Sequence, residues 1–208
     1  MAILLFYDII QELIIPRNTY FMSFLYIILG IATITLLYGI FVYNKFVHLV
    51  NRAKEAWADV DVQLKRRYDL IPNLINTVKG YAKHEEGTLS KVTEMRAKAL
   101  EARGTTDQAH AENMLTQALR SVFAVAENYP DLKANQNFLE LQRELSDTEN
   151  KIQAARRFYN TNVRDLNIGL ETFPQNIIGT MFNIEKKEFF ELDEAEGGAA
   201  REPVAVKF

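Results

Sequence analysis

The chain has 208 residues and no cysteine, which rules out disulfides, thiolate nucleophiles and cysteine metal ligands. Histidine is scarce, with only His48, His84 and His110 present. A zinc-protease helix needs His-Glu-x-x-His, two imidazoles one turn apart. His84-Glu85-Glu86 begins such a pattern, but Thr88 stands where the second imidazole would fall. The stretch therefore reads as a polar corner. Ser90, Ser121 and Ser146 have no identifiable histidine base, and there is no glycine-rich phosphate loop. Bulk charge is small, -3 at neutral pH, and gives no footprint for nucleic acid. The residues thus predict no catalytic group, no metal ligands and no cofactor: the chain does not read as an enzyme.

Charge itself is missing from one stretch. "NTYFMSFLYIILGIATITLLYGIFVYN", residues 18–44, holds no charged residue and is bounded by Arg17 and Lys45. About 20 apolar residues cross the hydrocarbon core as a helix, and Tyr20, Tyr26, Tyr38 and Tyr43 supply rings for its two interfaces. A cleaved signal peptide would have a shorter apolar core behind a basic segment, so a membrane anchor over 20–43 is expected. Residues 1–19 are too short to cross. Ile3, Phe6, Ile10, Leu13 and Ile14 suit a helix lying in the interface, or else Met22 is the biological start. Lys45, Arg52, Lys54, Lys65, Arg66 and Arg67 follow the span, against Arg17 alone before it. Positive-inside reasoning puts the short N-terminus outside and the rest in the cytoplasm, at the inner membrane.

Beyond the span, apolar residues step by threes and fours. Phe46, Val50, Ala53, Trp57, Val60, Leu64, Ile71, Leu74, Val78 and Tyr81 share one heptad register, the pattern of a helix burying a stripe. The spacing predicts one helix over about 20–82, bent just before Pro72. Further helices are expected over about 85–103, 106–128 and 135–170, with one brief helix after Pro174. Gly104 is expected in a left-handed terminal conformation, and Thr105 with Gln108 has capping-box spacing. No run alternates as a strand would. The fold class is all-α: a single N-terminal transmembrane helix continuing into a long-helix antiparallel bundle over 44–184. The remaining 185–208 is acidic, then polar, and expected to be mobile.

Long stretches resemble the LemA family: "AWADVDVQLKRRYDLIPNLINTVKGYAKHEEGTL" after "YNKFV", then "ENYPDLKANQNFLELQRELSDTENKIQAARRFYNTNVRDLN", Phe173-Pro174 and the ending "PVAVKF". These cover nearly everything after the span. The resemblance implies one membrane helix, a helical bundle and an N-terminus outside. It also points to HtpX-like membrane zinc metalloproteases in protein quality control as partners, or to shaping of organelle membranes, and it transfers no catalytic residue. The first 21 residues depart from the usual short start of the family.

One position breaks the seam. In "DVQLKRRYDLIPNL", Lys65 has Asp61 and Asp69 four residues to either side, so Lys65 and Arg66 suit a solvated face or a docking surface for an acidic partner. They lie about 30 Å from the membrane by helix rise. Arg67 points along the buried seam. If the first and last long helices run antiparallel, facing residue numbers add up to about 215 at equal helix rise. That sets Arg67 opposite position 148, beside Glu149. A buried Arg67–Glu149 pair acting as a register key is expected. The returning helix also brings Phe173, Phe182, Phe189 and Phe190 toward headgroups or a partner's membrane domain. Binding partners, self-association into a homo-oligomer and the lipid bilayer are the expected interactions.

Overall fold

Nothing between the apolar run and Lys79 stops a helix, and in the computed structural model a single helix, α1, runs from Ala2 to Lys79. The structure describes residues 2–82 and 84–191, with side chains from residue 19 onward. The surface-helix expectation for the side chains of residues 1–17 lies outside that range. The chain then forms α2 (Glu86–Glu101), α3 (Thr105–Ala126), a single turn α4 (Pro130–Lys133), the long α5 (Gln136–Glu171) and a short α6 (Gln175–Met181). The fold is all-helical, with an apolar N-terminal helix continuing into the bundle, and no strand occurs among the described residues.

Helix ends follow local chemistry. Asn135 caps α5 by accepting a hydrogen bond from the Phe138 N–H at 3.0 Å, and Pro130 opens α4, where its missing N–H is harmless. The turn between α2 and α3 needs Gly104, at φ 83°, where a side chain would be strained. The capping box expected at Thr105 does not form: Gly104 is the cap residue, with no side-chain cap bond. Gln108 is instead drawn into the interior.

α1 and α5 run antiparallel, and their register is visible along the whole length. The Phe46 ring lies against Gly169, where an added Cβ would come to 3.1 Å of it. Trp57 meets Tyr159 edge-on at 5.1 Å. Far from the span, the Asn135 amide donates to the Tyr81 hydroxyl at 2.8 Å. The seam of α1 is buried at Phe46, Ala53, Val60, Leu64, Ile71, Leu74 and Val78. Tyr81, expected in the same stripe, is exposed because α1 ends at Lys79. Ala56, Tyr68 and Ile75 are buried beside the seam, so the apolar face is wider than a two-helix heptad. The α2–α3 hairpin covers that second flank, with Val92, Met95, Leu115 and Val122 fully in the core. Each such side chain contributes about 1.5–3 kcal/mol on burial.

A second, smaller cluster sits where α1 leaves the apolar run: Val42, Phe46 and Leu166, with Leu170, Ile178 and Ile184 against them. It holds α6 against the end of the span. The stretch after α6 corrects the expectation of a loose tail from residue 185. Asn167 accepts from the Lys187 N–H at 3.0 Å and donates to its carbonyl at 2.9 Å. Asn160, one heptad earlier, does the same to Phe190 at 2.8 and 3.0 Å. Seven residues of helix rise about 10 Å and three extended residues span about the same. Two asparagines on α5 therefore pin an extended strip three residues apart, up to Glu191. The rest of the expected tail lies outside the described residues.

Candidate functional site

The basic break in the α1 seam leads to the most polar part of the interior. Arg67 is 3 % exposed. Its Nη1 lies 3.2 Å from Glu149 Oε2 on α5 and 3.3 Å from Glu112 Oε2 on α3. Its Nη2 donates to Thr116 Oγ1 at 2.6 Å. The two carboxylates are not equivalent, because the Glu112 side chain is 4 % exposed and that of Glu149 is 32 % exposed. The dominant partner is Glu112, which the spacing did not suggest.

Tyr68, next on α1, turns its hydroxyl onto Glu112 Oε1. The Gln108 amide donates to the same oxygen at 3.1 Å, to the Tyr68 hydroxyl at 2.9 Å and to the Ala99 carbonyl of α2 at 3.1 Å. Burial pushes the Glu112 carboxyl above its ordinary range, while Arg67, Tyr68 and Gln108 pull it back. Burial, followed by the Glu112 charge, pushes the Tyr68 hydroxyl far up, so it stays a proton donor.

Pro72 belongs to the same node. A proline has no N–H, so the carbonyl four residues earlier loses its helical donor. That carbonyl is Tyr68's, and α1 runs through Pro72 without interruption. Arg96 of α2 fills the vacancy, its Nε donating to the Tyr68 carbonyl at 2.8 Å. The sequence KRRYDLIP thus presents two sockets at one level: the Arg67 and Tyr68 side chains receive α3 and α5, and the Tyr68 carbonyl, freed by Pro72 one turn on, receives α2. All four long helices meet at this level. Most of the node's donors and acceptors are spent on one another, while Glu149 stays partly open to solvent on a cleft that Arg67 and Thr116 also line.

The other sequence-selected residues are dispersed. Arg66 is exposed and 3.7 Å from Asp147, and Lys65 lines a shallow solvent cleft with Asp61 and Asp69. Such surface pairs contribute about 0–1 kcal/mol. Phe173 and Phe182 are exposed beside the end of the apolar run, and the Phe182 ring lies tilted against Tyr43 with centroids 4.5 Å apart. Phe190 corrects its expected placement: it is 2 % exposed and meets Trp57 edge-on at 5.5 Å. That is ~20 Å along α1 from Tyr43, inside the bundle core. Phe189 sits at the same level, on a groove of about 650 Å³ between α2 and α3 lined by Met95, Ala102, His110 and Met114. Neither reaches the membrane end. The clamp residues Asn160 and Asn167 stand at heptad spacing on α5, which is the sequence signal for the strip they hold.

Among the described residues one helix is long and apolar enough to cross a membrane, and its apolar segment is almost wholly unburied. An apolar helix of this kind running into a helical bundle points to a membrane-associated, all-helical protein. The LemA family profile matches residues 56–208. The chain belongs to the LemA family. Protein LemA of Metamycoplasma hominis is 27% identical over 184 residues, 87% of this chain and 84% of that protein. Magnetosome protein MamQ of Magnetospirillum gryphiswaldense is 22% identical over 174 residues, 71% of this chain and 64% of its own length. Magnetosome protein MamQ 2 of Paramagnetospirillum magneticum is similar at 22% over 175 residues, again 64% of that protein.

Proposed function

We propose that this chain is a non-enzymatic, membrane-anchored adaptor that binds and organises partner proteins, with its bundle in the cytoplasm. The observation that carries the reading is continuity. One helix leaves the apolar span and becomes the spine of the bundle, so the bundle is held at a fixed distance and rotation rather than on a tether. The polar node supports it, because its buried charges serve packing and leave the surface as the working part. The family resemblance points to an HtpX-like membrane zinc metalloprotease in protein quality control as the partner. A homo-oligomer is the proposed working form.

The likeness to proteins named as magnetosome proteins favours a second reading, a self-assembling protein that organises or curves a membrane. Affinity purification of the full chain from mild detergent, followed by intact-mass measurement, separates the two. A stoichiometric membrane zinc protease supports the adaptor, and a large assembly of this chain alone supports the structural role. A monomer that retains no partner refutes both.

A further inference from the structure

We infer that α6 is a second bilayer contact: a short helix lying in one leaflet beside the span, so that the bundle is attached at two points. This rests on the reading of α1 as a membrane anchor. Residues 172–184, between Glu171 and Glu185, carry no charge, the same property that marks the span. The segment folds back onto the end of that span. An added Cβ on Gly39 would touch Ile178 at 3.8 Å, and the Tyr43 and Phe182 rings meet at a tilt with centroids 4.5 Å apart. Gly39 and Tyr43 both lie inside the uncharged run, so α6 sits at the depth where α1 enters the lipid.

Its inward side is used up. Ile178 packs on the Val42–Phe46–Leu166 cluster, and Gly179 comes so close that a Cβ would lie 2.5 Å from Leu170. Among the described residues, its other side has no protein against it. Ile177 and Met181, four residues apart on α6, share one side of the helix and are 56 and 71% exposed, with the exposed Phe173 in the turn before α6 and Phe182 just after it. Lys45 reaches over to Gln175 at 3.4 Å, and Lys186 holds Glu171 at 2.7 Å. Charges therefore begin just above the apolar stripe, the order in which headgroups follow acyl chains. An apolar face continuous with a membrane span, rimmed by charge on its outer side only, fits the interfacial layer of a bilayer.

With two contacts the bundle cannot tilt freely away from the membrane normal, so the faces it offers to partners stay at set heights above the bilayer. An apolar wedge in a single leaflet also spreads that leaflet locally.

Because the chain has no cysteine, single nitroxide labels can be placed without background. The full chain carrying Ile177→Cys or Met181→Cys would be reconstituted in phosphatidylcholine–phosphatidylglycerol bilayers. Gly30→Cys inside the span and the exposed Phe158→Cys on the bundle serve as references. The ratio of accessibility to oxygen over a water-soluble nickel chelate is expected to rise on the order of tenfold from 158 to 177 and 181, approaching that at 30. Ratios at 177 and 181 equal to that at 158, with 30 still deep, overturn the α6 contact alone. A water-exposed label at 30 overturns the anchor as well. Spin–spin broadening at 177 that disappears on dilution with unlabelled chain would show a second copy on this face, and would also overturn the inference.

Discussion

Arg67→Met tests the reasoning behind the polar node. The substitution keeps the side-chain volume near that of arginine but leaves Glu112 buried at 4 % side-chain exposure with its counter-charge gone. Removing one member of a buried pair typically destabilises by about 3–5 kcal/mol. For a domain of this size each kcal/mol moves the midpoint by about 2–4 °C, so Arg67→Met should lower Tm by roughly 6–20 °C. Glu149→Ala removes the partly solvated carboxylate, and its loss should stay at about 1 kcal/mol or less. In Arg67→Met/Glu112→Leu both buried charges are gone, and stability should return to within about 1–2 kcal/mol of the parent. Trp57 is the sole tryptophan and packs on Tyr159 and Phe190 in the core. Its fluorescence on thermal unfolding of the full chain in detergent reports bundle opening rather than melting of the span. The reasoning fails if Glu149→Ala is as damaging as Arg67→Met. It fails equally if the double variant is worse than either single one, since that would mean the buried charges stabilise by more than mutual compensation.

The other expectations follow from single contacts. Arg96→Ala should cost about 1–3 kcal/mol by orphaning the Tyr68 carbonyl. Pro72→Ala restores the helical N–H to that carbonyl, so the Arg96→Ala penalty should largely vanish in the Pro72→Ala background; equal penalties in both backgrounds, by denaturant titration, would dismiss the socket. Burial holds the Glu112 pKa above 4.5. Between 4.5 and that raised value the folded state binds more protons than the unfolded one, so this group's contribution to stability falls as pH rises. The stability of the parent relative to Glu112→Gln should therefore improve on going from about pH 7 to about pH 5, and parallel pH profiles would contradict the raised pKa. Asn160→Ala deletes both hydrogen bonds to the Phe190 backbone and should cost about 1–3 kcal/mol. Amide exchange at Phe190 should accelerate while that at Lys187, held by Asn167, changes less; uniform acceleration would argue against two separate clamps.

Local signals made the scaffold readable. The uncharged run, the three-and-four stepping of apolar residues and the punctuation at Gly104, Pro130 and Asn135 act within a few residues of themselves. They placed the ends of α2, α3 and α5 and the antiparallel return with errors of a few residues, while α1 begins at Ala2, well ahead of the expected start near residue 20. The register of α1 against α5 was legible too, because equal rise per residue in two straight helices makes facing positions a matter of counting. Arg67 and Glu149 at 3.2 Å are one consequence. What counting could not reach was the placement of α2 and α3, which depends on how the hairpin rotates and slides over the first pair. Glu112, Thr116 and Gln108 look like ordinary polar residues of an amphipathic helix until that rotation is known. Only the folded chain turns Glu112 inward against Arg67 and brings Arg96 to the carbonyl that Pro72 sets free. The same holds for the C-terminal strip, where an extended chain has no periodicity of its own. The clamps on Asn160 and Asn167, not the aromatic character of Phe190, decided that Phe190 lies in the core while Phe182 stays at the end of the span. Sequence determined what each helix needed to bury, and tertiary packing determined which helix supplied it, since a buried charge is satisfied by whichever partner arrives in three dimensions.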